Sequence, residues 1–102
     1  MFQVTKIQIR PNANVPFFHE VGRTDEYKEY FKTNFKDTLK NVSMTRTVSE
    51  DSLTLTSVTV WSSSEAFQEF ILDSYCYEHY VLAGQIYDLE NGITSQNHTE
   101  TI

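Results

Sequence analysis

Residues that could act as metal ligands or nucleophiles are few in this chain. Cys76 and His79 lie three positions apart, about one helical turn, and the remaining histidines are His19 and His98. Two ligands do not make a metal site, and a partly buried cysteine beside a surface histidine is the commoner arrangement, so no metal site is expected. Nucleophilic catalysis would need Cys76 or a serine beside a base that a third group orients. The linear sequence indicates no such triad.

The glycines and lysines bear on phosphate and anion binding. Gly22, Gly84 and Gly92 stand too far apart to form a phosphate-binding loop, so no nucleotide or other cofactor is expected. Lysines recur every four residues in the first predicted helix, at Lys28, Lys32, Lys36 and Lys40. Such a row could bind an anion. A solvated helix face whose lysines pair with nearby carboxylates is commoner, and we adopt that interpretation.

Aromatic residues are the candidates for binding a small apolar molecule. The candidate ligand-binding residues are Phe17, Phe18, Trp61, Phe70, Tyr75 and Tyr80, with Tyr77 as a further aromatic nearby in sequence. Aromatic walls with a few hydroxyl groups suit small hydrophobic ligands. The same residues could simply be core, since each buries about 150–250 Å² and a small domain needs that area. Core packing is the favoured interpretation and a ligand cavity the alternative.

Composition limits the partners and the compartment. Eight Lys and Arg against 14 Asp and Glu give a formal net charge of −6, which repels phosphate backbones and anionic lipids, so no nucleic-acid or membrane partner is expected. No apolar stretch approaches the roughly 20 residues that span a bilayer. The lone Cys76 cannot form an internal disulfide, and no signal-peptide pattern opens the chain. These features predict a soluble cytoplasmic protein.

The first half of the chain predicts a strand, a helix and a hairpin. Residues 2–10 form the first strand, which Pro11 ends. Residues 12–23 form a loop that must bury its aromatic side chains, and a helix over about 25–37 follows, capped by Thr24 or Asp25. Residues 39–48 and 53–61 form two strands joined across a polar four-residue break.

The second half predicts an interrupted helix and a last strand. Ser62 with Glu65 offers a capping box that begins a helix, and the periodicity blurs between Asp73 and Tyr77, which indicates a broken or two-part helix. Asn91-Gly92 is a left-handed stop. Residues 93–102 fit a short polar edge strand followed by a loose tail.

The order of these elements predicts one α+β domain over residues 1–102, with the ferredoxin-like βαββαβ topology. In it, a four-stranded antiparallel sheet carries both helices on one face. The central strands change apolar phase midway, from Phe2 and Val4 to Ile7 and Ile9 in strand one. Strand three does the same, from Leu53 and Leu55 to Val58 and Val60. Both sheet faces are therefore apolar, and burial against a second copy predicts a homodimer. The alternative is a bulge at a phase change, with the second face left in water.

A local run in the centre of the chain resembles a known family. The sequence VWSSSEAF over residues 60–67, a strand ending in Trp61 and then a serine-capped helix, is similar to the dimeric α/β-barrel proteins, which include antibiotic-biosynthesis-monooxygenase-like domains. The resemblance implies that two sheets close into a barrel with a pocket in each subunit, and some members oxidise quinols or haem. Enzymatic members typically place a histidine on the second helix, about where Phe70 and Tyr75 stand here. Only Trp61 matches, and His79 is the candidate substitute.

Three functional hypotheses follow. The first is a homodimeric barrel module that binds a small molecule, such as an apolar one, or simply assembles, without catalysis of its own. The second is a cofactor-independent monooxygenase-like enzyme that acts on a small aromatic or apolar substrate, with Trp61 and His79 as its catalytic candidates. The third treats the polar C-terminal strand as an arm exchanged between subunits. The sequence favours the first and does not decide whether the chain is an enzyme.

Overall fold

Four strands form a single antiparallel sheet. The computed structural model describes residues 1–102, and its strands are β1 (Phe2–Ile9), β2 (Asn41–Val48), β3 (Thr54–Trp61) and β4 (Thr94–Thr101). They are arranged in the order β2-β3-β1-β4. This is the order of the split βαβ arrangement, in which β3 lies between β1 and β2. The predicted ferredoxin-like α+β architecture is confirmed.

The helices are short and two of them continue as π-helical turns. One turn, α1 (Phe18–Val21), precedes α2 (Asp25–Phe31), which runs on into a π-helical turn over Lys32–Lys36. After β3 come α3 (Ser64–Leu72) and α4 (Ser74–Cys76), and a π-helical segment over Tyr77–Leu82 joins α4 to α5 (Ala83–Glu90). The predicted break in the second helix is thus confirmed. No helix combines the length and the apolar character that crossing a membrane requires.

Side-chain caps fix where the helices begin. The Thr24 hydroxyl accepts a hydrogen bond from the Tyr27 amide at 3.1 Å, as expected for the start of α2. The expected cap at Ser62 is wrong, because Ser63 accepts from the Ala66 amide at 3.1 Å instead. Ser62 lies directly after β3, and its amide donates to the Lys40 carbonyl just before β2, so α3 starts one residue later than predicted.

The last strand is longer and more firmly paired than expected. All eight residues of β4 have partners in β1, from Thr94 opposite Ile9 to Thr101 opposite Phe2. The Ile102 amide then donates to the Met1 carbonyl at 2.8 Å. The predicted loose tail is therefore wrong, since this backbone pairing continues to the last residue although the side chains are polar. The strand pairs with β1 of its own chain.

The two central strands, β1 and β3, pair with each other without a bulge. β1 pairs with β3 in unbroken register from Phe2 opposite Trp61 to Ile9 opposite Thr54. The irregularity in the sheet lies instead in β2, between Asn41 and Ser43. A bulge therefore does not explain the phase changes, and β1 and β3 carry apolar side chains on both faces.

The core lies between the helices and one face of the sheet. Its main cluster comprises Val4, Tyr27, Phe31, Phe35, Trp61, Ala66, Phe70 and Cys76. A second cluster comprises Phe17, Leu55 and Ile93. The segment 12–23, predicted as a loop, contains the helical turn α1, and it buries Phe17 and Phe18 as its composition predicts. The opposite sheet face, which no helix covers, is called the open face below.

Candidate functional site

A cavity of about 860 Å³ lies between the sheet and the helices. All four strands contribute to its wall on the helix-facing side, and α1, α2, α3, α5 and both π-helical segments contribute to the rest. A volume of this size is in the range of pockets that enclose small organic ligands. The fold therefore places an internal site in the layer where a small domain usually has only core.

Four of the six candidate ligand-binding residues line this cavity, and two do not. The lining includes Phe18, Trp61, Phe70 and Tyr80. Phe17 is fully buried in the second cluster, away from the lining. Tyr75 instead packs its ring 4.5 Å from that of Tyr30, because the break in the helix turns α4 toward α2. Tyr77 is exposed.

Trp61 is a rigid part of the cavity wall. Its indole N–H donates to the Thr59 hydroxyl at 3.0 Å, and only 1% of the residue is exposed. The Phe70 ring lies 5.1 Å away, and Phe31 and Phe35 meet the indole nearly edge-on. Such aromatic contacts add to simple burial and hold the ring in one orientation. The chain's one tryptophan is consequently a built-in fluorescence reporter of this cavity.

His79 does not accompany Trp61 in the cavity. Its ring packs 4.3 Å from the ring of Tyr75, and His79 is absent from the lining. The structure therefore does not bring the two catalytic candidates together. Cys76 is free and fully buried, and burial, followed by the charge of Asp73, raises the pKa of its thiol to about 12. A thiol in that state is a poor nucleophile.

Asp73 organises the break between the two helical pieces. Its carboxylate accepts hydrogen bonds from the Cys76 amide at 3.0 Å and from the Tyr30 hydroxyl at 2.7 Å. Burial of Asp73 opposes ionisation, but these hydrogen bonds outweigh it and lower the carboxyl pKa. The same contact raises the pKa of Tyr30 to about 12. Asp73 thus positions α4 and the π-helical segment that carries Tyr80 into the cavity wall.

The cavity is also lined by His19, named above only as a possible ligand, and by three cations that the sequence alone does not single out: Lys6, Arg23 and Arg46. Lys6 and Arg46 point inward because each shares the strand phase of a residue in the cavity wall, Val4 and Met44 respectively. The sequence contains a signal for these inward-facing charges. Where the apolar residues of β1 change phase, the helix-facing positions become polar and charged.

His19 carries a buried nitrogen without a partner. Its Nδ1 atom is enclosed and forms no hydrogen bond, and the ring stacks 6.3 Å from that of Phe17. Burial, and then the positive charge of Arg46, lower the pKa of His19. The imidazole is therefore held in its neutral form beside the arginine.

The predicted lysine row is divided between the cavity and the surface. Lys28, Lys32 and Lys36 are exposed and border the cavity, whereas Lys40 bonds Glu69 at 2.7 Å, away from the lining. The row ends because the helical turn stops at Lys36 and the chain reverses at Leu39, which has φ of 61°. Lys28 pairs with Asp25 and Lys32 with Asp37. The expected carboxylate partners of the lysine row are thus present, and three of the lysines also border the cavity.

Comparison with known proteins supports the fold and is silent on activity. No protein-family model matches the sequence, and no curated protein is significantly similar to it. Among solved structures, the chain is similar to a dimeric ferredoxin-like protein from an uncultured marine organism, with a TM-score of 0.67 and 10% sequence identity. The match covers 100% of this chain and 94% of that one. At this identity the similarity shows a shared ferredoxin-like fold.

Proposed function

We propose that this chain is a non-catalytic domain that binds a small, partly apolar molecule in its internal cavity and acts as a homodimer. The observation that carries the proposal is the 860 Å³ space enclosed against Trp61, Phe70 and Tyr80. A chain of this size gains stability by filling such space with side chains, so an open cavity costs stability. A bound molecule supplies the missing contacts.

A neutral fluorescent probe tests the binding step. Anilinonaphthalene is apolar, uncharged and of suitable size, and it accepts energy from tryptophan. We expect saturable binding, with one site per chain and quenching of Trp61 emission. Ser57→Phe places a ring in the cavity wall and is expected to weaken binding at least tenfold, whereas Gln68→Phe on the exposed side of α3 is the matched control. Equal binding by both variants would place the probe elsewhere and refute the proposal.

The homodimer is supported by the open face of the sheet. The register places Ile7 and Ile9 of β1 and Val58 and Val60 of β3 on this face, and Ile9 is 46% exposed. Among the residues that share the face, Glu100 is the only Asp, Glu, Lys or Arg. A sheet surface with so little charge is typical of a buried interface. The solved structure with the same fold is itself described as dimeric.

Oligomeric mass tests the second part of the proposal directly. Sedimentation equilibrium of the purified protein is expected to give twice the chain mass of 11.9 kDa across the micromolar range. A two-fold dimer is the expected form because one self-complementary patch serves both subunits. A single 11.9 kDa species at high concentration would refute it.

The alternative is a cofactor-independent monooxygenase-like enzyme acting on a small aromatic or apolar substrate. Its support is the sequence resemblance over residues 60–67 together with the position of Trp61 in the cavity wall. His79 lies outside the lining, so His19 would be the nearer acid/base group. Oxygen uptake with a dihydroxynaphthalene, compared with its spontaneous oxidation, separates the hypotheses. A protein-dependent rate that Trp61→Phe and His19→Gln both abolish would favour the enzyme.

A further inference from the structure

Positive charge is concentrated around the cavity of a chain that is negative overall. Six of the eight Lys and Arg residues line the cavity, compared with two of the 14 Asp and Glu residues. The six are Lys6, Arg23, Lys28, Lys32, Lys36 and Arg46. The lining thus has a formal charge of +4, whereas the whole chain has −6. A low-dielectric cleft that carries one sign of charge focuses its field on a ligand of the opposite sign.

The strand register places two of these cations in one row across the sheet. Lys6 and Arg46 both lie opposite Ser57, and Asn97 lies opposite Lys6 on the other side. Because neighbouring strands are about 4.8 Å apart, the backbone positions of Lys6 and Arg46 are about 10 Å apart. We call this row the basic row. It gives the floor of the cavity two positive charges flanking a small hydroxyl residue.

The next rows along the sheet are less polar, so the cavity floor has two different ends. Val4, Thr59 and Met44 form the row adjacent to the basic row, and Phe2 and Trp61 form the row beyond it. Successive rows on one face are about 6.7 Å apart. The apolar wall around Trp61 is therefore about two rows from the charges. A ligand that fits both ends has an apolar body and an anionic group.

No carboxylate forms a salt bridge with the cations of the basic end. The salt bridges of the chain involve Lys28, Lys32 and Lys40, and none involves the basic row. Lys6 interacts with Asp88, whose pKa is raised by burial and lowered in part by its hydrogen bond from Gln8 and by the charge of Lys6. That carboxylate forms its hydrogen bond with Gln8 at 2.9 Å and no salt bridge with Lys6.

Arg23 adds a third cation to the same end. Its guanidinium donates only to the backbone carbonyl of His19, at 3.2 Å. Burial, and then the charge of Arg46, lower the pKa of Arg23, so the two guanidinium groups repel each other across the cavity. Arg23 and Arg46 are half-buried. Repulsion between cations in such a cleft costs stability unless an anion lies between them.

We propose that the cavity binds an amphipathic organic anion, with its charged group at Lys6, Arg23 and Arg46 and its apolar body against Met44 and Trp61. This inference rests on the proposed function, since it specifies what the cavity takes. Guanidinium groups bind carboxylates and phosphates through paired N–H donors, and the anion relieves the repulsion between the cations. His19 Nδ1, buried and unpartnered in the same lining, is a further group for the anion to engage.

Two probes that differ by one charge test the proposal. Anilinonaphthalene sulfonate is the neutral probe with a sulfonate added, so the ratio of the two dissociation constants isolates the anionic contact. We expect the sulfonate to bind at least tenfold more tightly than its neutral parent. Arg46→Gln and Lys6→Gln should each reduce that ratio by about tenfold, since hydrogen bonds to charged groups contribute on this scale. Lys40→Gln, which removes a cation outside the cavity, is the matched control.

The outcomes separate this inference from the proposed function. If the two probes bind equally and no variant changes the ratio, the cavity binds small molecules without selecting anions, and only the inference fails. If neither probe binds, both fail. If Lys40→Gln lowers the ratio as much as Arg46→Gln, the sulfonate is attracted by surface charge and the inference is overturned. Decanoate and decyl phosphate, each competed against the bound probe, then distinguish a carboxylate ligand from a phosphate ester.

Discussion

The two faces of the sheet reverse the usual distribution of charged and aliphatic side chains in a small protein. The helix-facing side, which lines the cavity, carries Lys6 and Arg46 from its strands, whereas the open face carries Ile7, Ile9 and Val58 and almost no charge. Exposed surfaces normally hold the charges and enclosed ones the aliphatic side chains. Each departure matches one of the proposed partners: a second sheet on the open face and an anion in the cavity on the helix-facing side.

The comparison also explains why the sheet changes apolar phase midway. In β1 the helix-facing side is apolar at Phe2 and Val4, which pack with the aromatic core, and polar at Lys6 and Gln8, which line the cavity beyond Val4. The aliphatic residues of the second half, Ile7 and Ile9, therefore appear on the open face. One change of phase in the sequence thus marks both the polar end of the cavity and the apolar patch on the opposite face.

The largest expected effect comes from a charge placed on the open face. Val58→Glu is expected to convert the dimer to monomer, raising the dissociation constant at least 100-fold, because an unpaired carboxylate would be buried twice in a two-fold interface. Sedimentation equilibrium measures the change. Gln68→Glu on the exposed side of α3 adds the same charge away from the sheet and should leave the mass unchanged. A dimer that survives Val58→Glu would show that this face is not the interface.

At Ser57, the residue next to Val58, an added carboxylate lies on the helix-facing side of the sheet, and we expect it to stabilise the protein. Ser57→Glu places a carboxylate between Lys6 and Arg46, where the chain has none. We expect this variant to remain dimeric, to unfold with a free energy about 1 kcal/mol higher than the parent, and to lose its preference for the anionic probe. Urea unfolding and the probe titration measure the two effects. A loss of stability would contradict the mutual repulsion inferred for the cations.

A smaller effect is expected in the pH dependence of folding. Because the folded state lowers the pKa of His19, the unfolded chain binds the proton first, and the contribution of His19 to stability is full above pH 6.5 and is lost as pH falls below it. His19→Gln should flatten the unfolding free energy in that range. The charged groups nearest the ring are Arg46, Glu20 and Arg23. Added decanoate should raise the His19 pKa in an NMR titration, and no rise would indicate that the anion lies elsewhere.

Much of the fold follows from local sequence signals. The element order, the Thr24 cap, the break after α3 and the stop at Gly92, which has φ of 70°, all rest on interactions within a few residues. The start of α3 was misplaced by one residue because Ser62 and Ser63 are chemically equivalent as caps. Only the long-range bond from Ser62 to Lys40 decides between them.

The site was less accessible from the sequence because it depends on contacts across the fold. Trp61, Phe70, Phe18 and Tyr80 share the cavity, yet nothing in their spacing separates them from Tyr75, which the break at Asp73 turns toward Tyr30. Nothing in the linear sequence distinguishes Lys6 and Arg46 from other polar strand residues. Their importance appears only when the register shows both opposite Ser57, on the enclosed side.

The side-chain NMR signals of the three arginines test the central claim most directly, because Arg10 is an internal control. Arg10 is held by carbonyls of Ser52 and Val15 outside the cavity, whereas Arg23 and Arg46 line it. On titration with decanoate, we expect the Nε–H resonances of Arg23 and Arg46 to shift together along one saturable curve while that of Arg10 stays in place. Equal shifts of all three, or none, would contradict an anion bound inside the cavity.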